Sequence, residues 1–374
     1  MVRAVFISIL MLYTHVGLAQ SQFPIKFNVG KNNLPASHTV RISFTGDLLV
    51  HHDLYVRVAE HPKNDFTILW KKTIPLFNQA DFSYANLEGP TALGIDTLKK
   101  NQGDVGFLYK KDMTKEDIVV YSGTHFLFNF HPKIIDDLKR SGIDIVSTAN
   151  NHTFDRGSIG IDKTIDQMNK RNFNFFGTRK RKTKNVFYKI TPIKNLNIAW
   201  IACAEALNGF KDRYSQVLLC FDQKQEILDI IKNLKSRSDV DAIIVTPHWG
   251  VEYKHEPTAL QKSVGREFLE QGALIVIGNH PHVLQPVEKY ITTDGRETFI
   301  AYSLGNFVAY QRDIDRKASA IVYLDLAKDS TTGKTVLTRY SYEPTTRHLK
   351  DILPARHLKD VVDHVQLYLG PLDQ

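Results

Sequence analysis

Polar residues that can bind metal ions or transfer protons follow six short apolar runs in this chain of 374 residues. Composition alone does not require polar residues to be placed so regularly. The segments are TGDLLVHHD (45–53), NLEGP (86–90), NNHTFD (150–155), HWGVEY (248–253), GNHPHV (278–283) and SLGNF (303–307). Their repeated position after apolar runs indicates that they contribute to one shared site.

The side chains in these segments combine carboxylates, amide oxygens and imidazoles, which together suit borderline divalent metals such as Zn, Mn or Fe. In GNHPH, two imidazoles separated by one proline project from a backbone that has little freedom left to lose. A lone histidine after an apolar strand is more often a core or surface imidazole, so the prediction depends on the segments jointly. The candidate metal ligands are Asp47, Glu88, Asn151, His248, His280 and His282.

Other site signatures are missing from the sequence. It contains no G-x-S-x-G elbow, and no Gly-rich phosphate loop or dinucleotide fingerprint follows the first apolar run. The only cysteines are Cys203 and Cys220, which excludes a cysteine-rich zinc site and a disulfide framework. Because Cys203 lies inside the apolar run IAWIACA, we expect two buried, unpaired cysteines. A disulfide formed after export is the alternative.

Apolar runs alternate with amphipathic segments from about Val40 to Phe307, which predicts an α/β domain built in layers. The predicted strands are VRISF, FSYAN, IDIVSTA, NIAWIACA, DAIIVTP, ALIVIG and TFIAYSL. The predicted helices are TILWKKTIPLFNQ, PKIIDDLKRSG, GIDKTIDQMNKR, DQKQEILDIIKNLKSR and TALQKSVGREFLEQG. Since the carboxyl ends of strands share one edge in an open α/β sheet, we expect the six polar segments to meet there.

No repeat, low-complexity tract or linker divides residues 40–327, so they are predicted to form one domain. Residues 328–374 are predicted to be a C-terminal extension packed on it, with a late strand at KTVLTRYSYEP. Residues 1–19 are predicted to be a signal peptide cleaved after Ala19, with an uncleaved anchor as the alternative. We therefore expect export to the periplasm, the cell surface or the medium, and no transmembrane segment in the mature chain.

The formal net charge of +8 favours an anionic partner, such as a polyanionic polymer or a cell surface. Much of the excess comes from TRKRKTK (178–184), a run more typical of a solvated loop than of a binding patch. We expect no nucleic-acid partner.

The polar segments resemble those of the CapA or PGA_cap proteins of bacterial capsule and poly-γ-glutamate synthesis. FTGDLL, NLEGP, ANNHTFDRG, PHWGVEY, GNHPHVLQPVE and YSLGNF occur in the family's order, and the resemblance covers about Val40 to Asp325. That family is similar to the calcineurin-like metallophosphoesterases. The resemblance implies an α/β four-layer sandwich in which helices flank two central sheets, with one or two metal ions at the strand ends.

The resemblance also implies roles for individual residues. One departure concerns Leu49, where the metallophosphoesterases have a histidine; His51 or His52 is the candidate substitute, or else the first ion binds more weakly. The positions that match the family's metal ligands are Asp47, Glu88 (in place of a bridging aspartate), Asn151, His248, His280 and His282.

By the same resemblance, His152 faces the substrate as general acid or oxyanion stabiliser, and Asp155 holds its other ring nitrogen. A plain N-cap for the following helix is the alternative role of Asp155. The rim of the cleft is expected just after His248, although packing under the loop is an equal alternative for Trp249. The predicted substrate-binding residues are Trp249, Glu252, Tyr253 and Asn306.

Two functions are compatible with these features. The first is a metal-dependent hydrolase that cleaves a phosphoester or an amide, acting on an anionic polymer or on a small phosphorylated or γ-glutamyl substrate. The second is a non-catalytic assembly factor that binds a polyanion at the cell surface together with cell-envelope partners. His152 and Asp155 favour the hydrolase, because binding alone does not need them.

Overall fold

The computed structural model describes residues 25–27, 39–112, 114, 116–123, 127–183 and 186–372, so the predicted signal peptide lies outside the described residues. The strands are β1 (Val40–Leu48), β2 (Phe82–Leu87), β3 (Ile145–Ser147), β4 (Asn174–Phe176), β5 (Tyr188–Ile193), β6 (Leu196–Ala204), β7 (Ala242–His248), β8 (Ile275–Ile277), β9 (Val287–Ile291), β10 (Glu297–Ala301), β11 (Asn306–Val308), β12 (Ala318–Lys328), β13 (Thr335–His348) and β14 (Asp351–Pro354). The helices are α1 (His52–Glu60), α2 (Ile74–Phe77), α3 (Lys133–Arg140), α4 (Gly157–Lys170), α5 (Lys224–Lys235), α6 (Ala259–Gln271), α7 (Ile314–Lys317) and α8 (Lys359–Leu369).

The strands form two sheets. The first has the order β14-β13-β12-β1-β2-β3-β4, with β11 also paired to β1, and the second has the order β5-β6-β7-β8-β10-β9. Strands β1 to β4 and β11 pair in parallel, whereas β12, β13 and β14 extend the first sheet in antiparallel fashion. In the second sheet, β6, β7, β8 and β10 are parallel.

The apolar faces of the strands explain how the two sheets pack. Alternate residues of a strand point to opposite faces, and in β6 Ile198 and Trp200 face the core between the sheets while Ile201 and Cys203 face the outer core. Helices α5 and α6 cover that outer face, and α1 and α3 cover the outer face of the first sheet. This arrangement confirms the predicted four-layer sandwich of two sheets flanked by helices.

The seven strands predicted in the domain are present, as is the predicted late strand, which is β13, but one predicted helix is not continuous. TILWKKTIPLFNQ folds as two short 3-10 helices (Phe66–Leu69 and Lys71–Thr73) followed by the single turn of α2. Pro75 lies at the start of α2, and because proline lacks a backbone N–H and clashes with the preceding turn, a continuous helix cannot pass through it.

The C-terminal residues 328–374 include β13, β14 and α8. Strand β13 pairs with β12 along nearly its whole length. The apolar side of α8, with Val361, Val365 and Leu369, packs into the core between the sheets. Among the described residues, no helix combines the length and the apolar character needed to cross a membrane.

The expectation of unpaired cysteines was wrong. Cys203 and Cys220 form a disulfide, with their Cα atoms 5.0 Å apart. The chain after β6 returns alongside its end, where the backbone N–H of Cys220 donates to the carbonyl oxygen of Ala204 at 2.9 Å. This non-local backbone pairing brings together two cysteines that are 17 residues apart in the sequence.

Candidate metal centre

The carboxyl ends of strands from both sheets meet at one place. The first sheet contributes the ends of β1, β2 and β3 and the start of β11, and the second contributes the ends of β7 and β8. The candidate residues at these positions are Asp47 on β1, Glu88 after β2, Asn151, His152 and Asp155 after β3, His248 at the end of β7, His280 and His282 after β8, and Asn306 at the start of β11. The structure therefore brings the predicted ligands together.

Glu88 lies at the centre of this group and is fully buried, at 0% exposure. Its Oε1 is 3.5 Å from Nε2 of His248, 3.7 Å from Nε2 of His282 and 4.0 Å from Nε2 of His152. Within the described part of the chain, neither carboxylate oxygen has a hydrogen-bond partner. Burial raises the pKa of Glu88, but the imidazoles of His282 and His248 outweigh it, and the net pKa is well below its usual range.

Asp47 is held by groups from both sheets. Its Oδ1 accepts a hydrogen bond from Nδ2 of Asn86 at 2.8 Å, and its Oδ2 accepts one from the backbone N–H of His280 at 3.2 Å. Oδ2 also lies 3.3 Å from Nδ1 of His282. These contacts hold the Asp47 carboxylate beside the histidines, where it can serve as a ligand.

His282 has one ring nitrogen bonded and the other directed at Glu88. Its Nδ1 lies 2.9 Å from Oδ1 of Asn306, and because an amide oxygen only accepts, Nδ1 carries the proton and Nε2 is left for a ligand. Burial lowers the pKa of His282, but the Glu88 and Asp47 carboxylates reverse this effect and raise the pKa to about 10, so a metal ion bound at Nε2 would displace a proton from that nitrogen.

His248 ends β7, where the two sheets meet, and both of its ring nitrogens have close polar neighbours. Its Nε2 is 3.0 Å from Oδ1 of Asn151 and 3.1 Å from Nδ1 of His280, while its Nδ1 is 3.1 Å from Nδ2 of Asn86. His280 has a positive φ of 100°, and burial together with the imidazoles of His248 and His282 lowers its pKa to about 2. His280 is therefore neutral, the form of histidine that binds metals.

Two overlapping sets of side chains can each hold an ion, because in each set the ligand atoms lie within 4.8 Å of one another. The mixture of carboxylate and imidazole suits Zn, Mn or Fe, and buried oxygens without hydrogen bonds are the groups that a bound cation would satisfy. The residues thus fit one or two divalent ions, with Glu88 shared. The sets are Glu88, His248 and His280, and Asp47, Glu88 and His282.

His152 and Asp155 form a pair beside this centre. Nδ1 of His152 lies 2.9 Å from Oδ2 of Asp155, which also accepts from the backbone N–H of Phe128 at 2.7 Å. Burial lowers the pKa of His152, but Asp155 outweighs it and raises the pKa above its usual value. The alternative role of Asp155 was wrong, because α4 is preceded by Arg156 and has no side-chain cap.

His51 and His52, the candidate substitutes for the histidine that is missing at position 49, lie in different places. His51 lies close to the centre, but its Nδ1 lies 3.2 Å from both the backbone N–H of Tyr310 and the carbonyl oxygen of Leu49, and its tautomer decides which of the two it bonds. Burial lowers the pKa of His51 to about 4. His52 turns away, with Nε2 2.8 Å from the carbonyl oxygen of Lys111. In the described ranges, neither histidine belongs to a set of metal-ligand atoms.

The prediction that Trp249 lies at the rim is corrected by the structure. Its side chain is fully buried, at 0% exposure, in the outer core beneath α5 and α6. Its ring stacks near Phe268 and Phe221, and Nε1 donates to the carbonyl oxygen of Tyr302 at 3.1 Å. Since neighbouring residues of an extended chain face opposite sides, His248 in the site directs Trp249 into the opposite layer.

Tyr253 does lie at the mouth of the site. It is 42% exposed, and its ring centroid is 6.0 Å from that of His282. The guanidinium of Arg316 lies 4.3 Å from the Tyr253 ring centroid. Burial and the neighbouring carboxylate of Glu252 raise the pKa of Tyr253 to about 12, so its hydroxyl stays protonated at neutral pH.

Asn306 is buried behind His282. Its Oδ1 lies against Nδ1 of that histidine, and its Nδ2 donates to the backbone carbonyl of His282 at 3.0 Å and to that of Arg316 at 2.9 Å. Through these bonds the Asn306 side chain holds His282 in position.

Two further residues contact the centre that sequence reasoning did not select. Asn86 bridges Asp47 and His248, and the sequence signal for it was its place in NLEGP, two residues before Glu88. Nδ2 of Asn208 lies 3.5 Å from Nδ1 of His152. Asn208 follows β6, outside the six polar segments, so no motif pointed to it.

Comparison with known proteins identifies relatives along most of the chain. The family model described as bacterial capsule synthesis protein PGA_cap matches residues 41–311. PGA biosynthesis protein CapA of Bacillus subtilis (strain 168) is 27% identical over 322 residues, covering 85% of this chain and 74% of that protein. Capsule biosynthesis protein CapA of Bacillus anthracis is 29% identical over 275 residues, covering 70% of this chain and 59% of that protein.

Two solved structures show a distant likeness to this chain. A putative 5'-nucleotidase from Staphylococcus aureus aligns with a TM-score of 0.45 and 14% identity, covering 88% of this chain and 57% of that one. A phosphatase from Mycoplasma pneumoniae aligns with a TM-score of 0.42 and 13% identity, covering 83% and 96%. At TM-scores below 0.5 these likenesses say nothing about the chemistry of this chain.

Proposed function

The chain belongs to the PGA_cap family of bacterial capsule synthesis proteins, and we propose that it is an exported metal-dependent hydrolase acting in capsule, poly-γ-glutamate or related exopolymer synthesis or processing. One observation carries the proposal: the carboxylate of Glu88 is fully buried among the imidazoles of His248, His282 and His152, yet neither of its oxygens accepts a hydrogen bond in the described part of the chain. A buried polar group of this kind calls for a partner.

The side chains divide into two roles. When bound, a divalent metal supplies Lewis-acid chemistry that polarises the scissile group and makes water a stronger nucleophile at neutral pH. The residues that would hold it are Asp47, Glu88, Asn151, His248, His280 and His282.

His152 is the proton donor in this proposal. Asp155 holds Nδ1 of His152 at 2.9 Å and keeps its pKa raised, so that Nε2, on the side of Glu88, carries a proton for the leaving atom. Both side chains are buried, which limits the access of bulk water to the proton.

The substrate in this proposal is anionic, a phosphoester or a γ-glutamyl amide within a polymer or a small molecule. The relatives named for PGA and capsule biosynthesis favour a γ-glutamyl bond. The net charge of +8 supports an anionic substrate. The guanidinium of Arg316 lies over Tyr253 at the mouth of the site, where it also forms an ion pair with Asp313 at 3.1 Å.

Purified protein tests the proposal directly. Metal content is measured first, and hydrolysis of γ-glutamyl peptides, poly-γ-glutamate and phosphoesters is then followed before and after chelation and after metal is restored. We expect turnover of one substrate class that is lost on chelation and returns with Mn, Zn or Fe. Protein that holds stoichiometric metal and hydrolyses neither class would contradict the proposal.

The alternative function is a polyanion-binding assembly factor with cell-envelope partners, which the net charge of +8 favours. It leaves the buried His152–Asp155 pair without a role. Polymer binding is measured for wild type and for Glu88→Ala, His152→Ala and His282→Ala. Unchanged affinity in all three, together with no hydrolysis, would favour the assembly factor.

Export is part of the proposal, whether to the periplasm, the cell surface or the medium. The Cys203–Cys220 disulfide supports it, since such bonds persist mainly in oxidising compartments. Fractionation of the source cells with thiol labelling provides the test. Protein found in the cytoplasm with reduced cysteines would contradict export.

A further inference from the structure

A second group of metal-binding side chains lies outside the centre described above and shares no residue with it. His255 follows β7, Asp315 is in the short helix α7, and His364 is in the C-terminal helix α8. One ligand atom from each of the three residues lies within 4.8 Å of the others. Nε2 of His255 is 3.9 Å from Oδ2 of Asp315, and Nδ1 of His364 is 3.8 Å from Oδ1 of the same carboxylate.

The hydrogen bonding of His255 prepares one ring nitrogen for a ligand. Its Nδ1 lies 2.7 Å from the carbonyl oxygen of Leu284. Because a carbonyl only accepts, Nδ1 carries the proton, and the neutral ring presents a lone pair at Nε2 on the side of Asp315. A backbone carbonyl bonded to the non-ligating nitrogen is the usual support for a metal-binding histidine.

One of the nitrogens that face Asp315 is a polar atom that the protein leaves unsatisfied. Nε2 of His255 is buried and has no hydrogen-bond partner among the described residues. His364 faces the same carboxylate through Nδ1. The His364 side chain is only 11% exposed, whereas that of Asp315 is 55% exposed. Tyr368 stacks on His255 at a centroid distance of 4.4 Å and covers the other side of the cluster.

We propose that His255, Asp315 and His364 bind a zinc ion that joins helices α7 and α8 to the segment after β7. Two imidazoles and one carboxylate suit Zn²⁺, which prefers nitrogen and oxygen donors in tetrahedral geometry, with water free to occupy the remaining position. Ligands about 2.1 Å from such an ion lie roughly 3.4 Å apart. The three ligand atoms lie within 4.8 Å of one another, so they must move closer together to bind the ion.

This second site adjoins the mouth of the first without being part of it. Arg316 follows Asp315, its guanidinium lies over Tyr253, and its carbonyl oxygen accepts a hydrogen bond from Asn306. Zinc bound at Asp315 would order α7 at this rim and fasten the C-terminal helix to the domain.

The test counts zinc bound by the full chain. Zn²⁺ equivalents are measured by elemental analysis after buffer exchange, and affinity by competition with a chromophoric chelator, for wild type, Asp315→Ala and His364→Ala. His357→Ala is the matched control, because His357 is exposed and lies just before α8. Asp315→Ala keeps the test valid if His364→Ala does not fold, since Asp315 is largely exposed.

We expect both variants to bind one equivalent less than wild type, or to bind it at least about tenfold more weakly, while His357→Ala binds as wild type does. Zinc is also expected to raise the Tm of Glu88→Ala, in which the first centre is impaired, but not that of Glu88→Ala combined with Asp315→Ala. Wild-type stoichiometry and affinity in Asp315→Ala would overturn the proposal.

Discussion

Nδ1 of His152 lies 2.9 Å from the Asp155 carboxylate, while Nε2 of the same ring is 4.0 Å from Glu88 at the centre of the candidate metal site. The imidazole is thus placed between a group that orients it and the place where chemistry would occur. In the proposed function, His152 transfers a proton and Glu88 binds metal, and variants of the two residues can test this division.

His152→Ala is expected to keep its metal and its fold and to lose turnover by roughly 10² to 10⁴ fold, the range for a positioned acid or base. Metal content, Tm and rate are measured on the same preparation. Loss of metal from His152→Ala as complete as from Glu88→Ala would show that His152 is a ligand.

Glu88→Ala and His282→Ala are expected to lower metal occupancy and Tm together, because an ion that binds only the folded site stabilises it. Glu226→Ala serves as the control, since Glu226 is exposed on α5 and belongs to neither set of metal-ligand residues. Elemental analysis and thermal unfolding are compared with and without a chelator. A Tm difference that persists unchanged in chelator would mean that the variants destabilise the fold directly.

Tyr253→Ala is expected to raise KM roughly threefold to tenfold with little change in kcat, because the ring lies at the mouth of the site and under the cation of Arg316. This factor corresponds to about 0.7 to 1.4 kcal/mol of lost contact. Tyr253→Phe, which retains the ring, should stay near wild type. A fall in kcat with unchanged KM would place Tyr253 in the chemical step.

Trp249→Ala is expected to lower the free energy of unfolding by roughly 3 to 5 kcal/mol, the cost of removing a large buried aromatic side chain. Trp249→Phe should cost less, since it keeps most of the packing against Phe268 and loses the hydrogen bond to Tyr302. Urea unfolding provides the measurement. Wild-type stability with weakened substrate binding would return Trp249 to the rim.

The stability of the protein is expected to depend on pH through His131, which is distant from the metal centre. Burial lowers its pKa to about 4, its ring stacks on Phe107 at 3.9 Å, and its Nδ1 accepts a hydrogen bond from the backbone N–H of Lys133. Because the folded-state pKa lies below the unfolded value of about 6.5, this stability is complete above about pH 6.5 and is lost as pH falls toward 4.

Between pH 7 and about pH 4.5, wild type should therefore lose roughly 1 to 2 kcal/mol more stability than His131→Gln, after allowance for partial solvent access. Urea unfolding of both proteins at each pH provides the comparison. Parallel loss of stability in the two proteins would show that His131 does not titrate as described.

Much of the fold could be predicted from the sequence because its signals are local. Short apolar runs marked the seven predicted strands, and three- and four-residue spacing marked α3, α4, α5 and α6. The prediction for the segment before β2 was wrong. Its apolar spacing favoured one continuous helix, but Pro75 prevents a helix from passing through it. Helices α1, α7 and α8 and several shorter strands were not predicted. Helix α7 is a single turn of four residues, too short to show a period, whereas α8 does carry apolar residues at four-residue spacing and its signal was missed.

The candidate site also combines features that the sequence predicted with features that only the tertiary structure decided. The sequence determined which side chains follow each strand, and from their types it determined that a metal site was the chemistry to expect. Only the tertiary structure decided that two sheets meet there, which places His248 from the second sheet within reach of Glu88 and Asn151 from the first. Strand pairing also set Asp47 opposite Asn86, a partner that no spacing along the chain identifies.

The disulfide and the His255 cluster were not predicted, and both depend on contacts between distant parts of the chain. Cys203 and Cys220 form a disulfide because the chain returns beside β6, and the His255 cluster exists because α8 packs near α7 and the segment after β7. Local propensity acts between residues a few positions apart, whereas these contacts depend on how the sheets and helices pack. The sequence alone therefore determined the residue types and the order of the elements, and tertiary packing decided which distant side chains share a site.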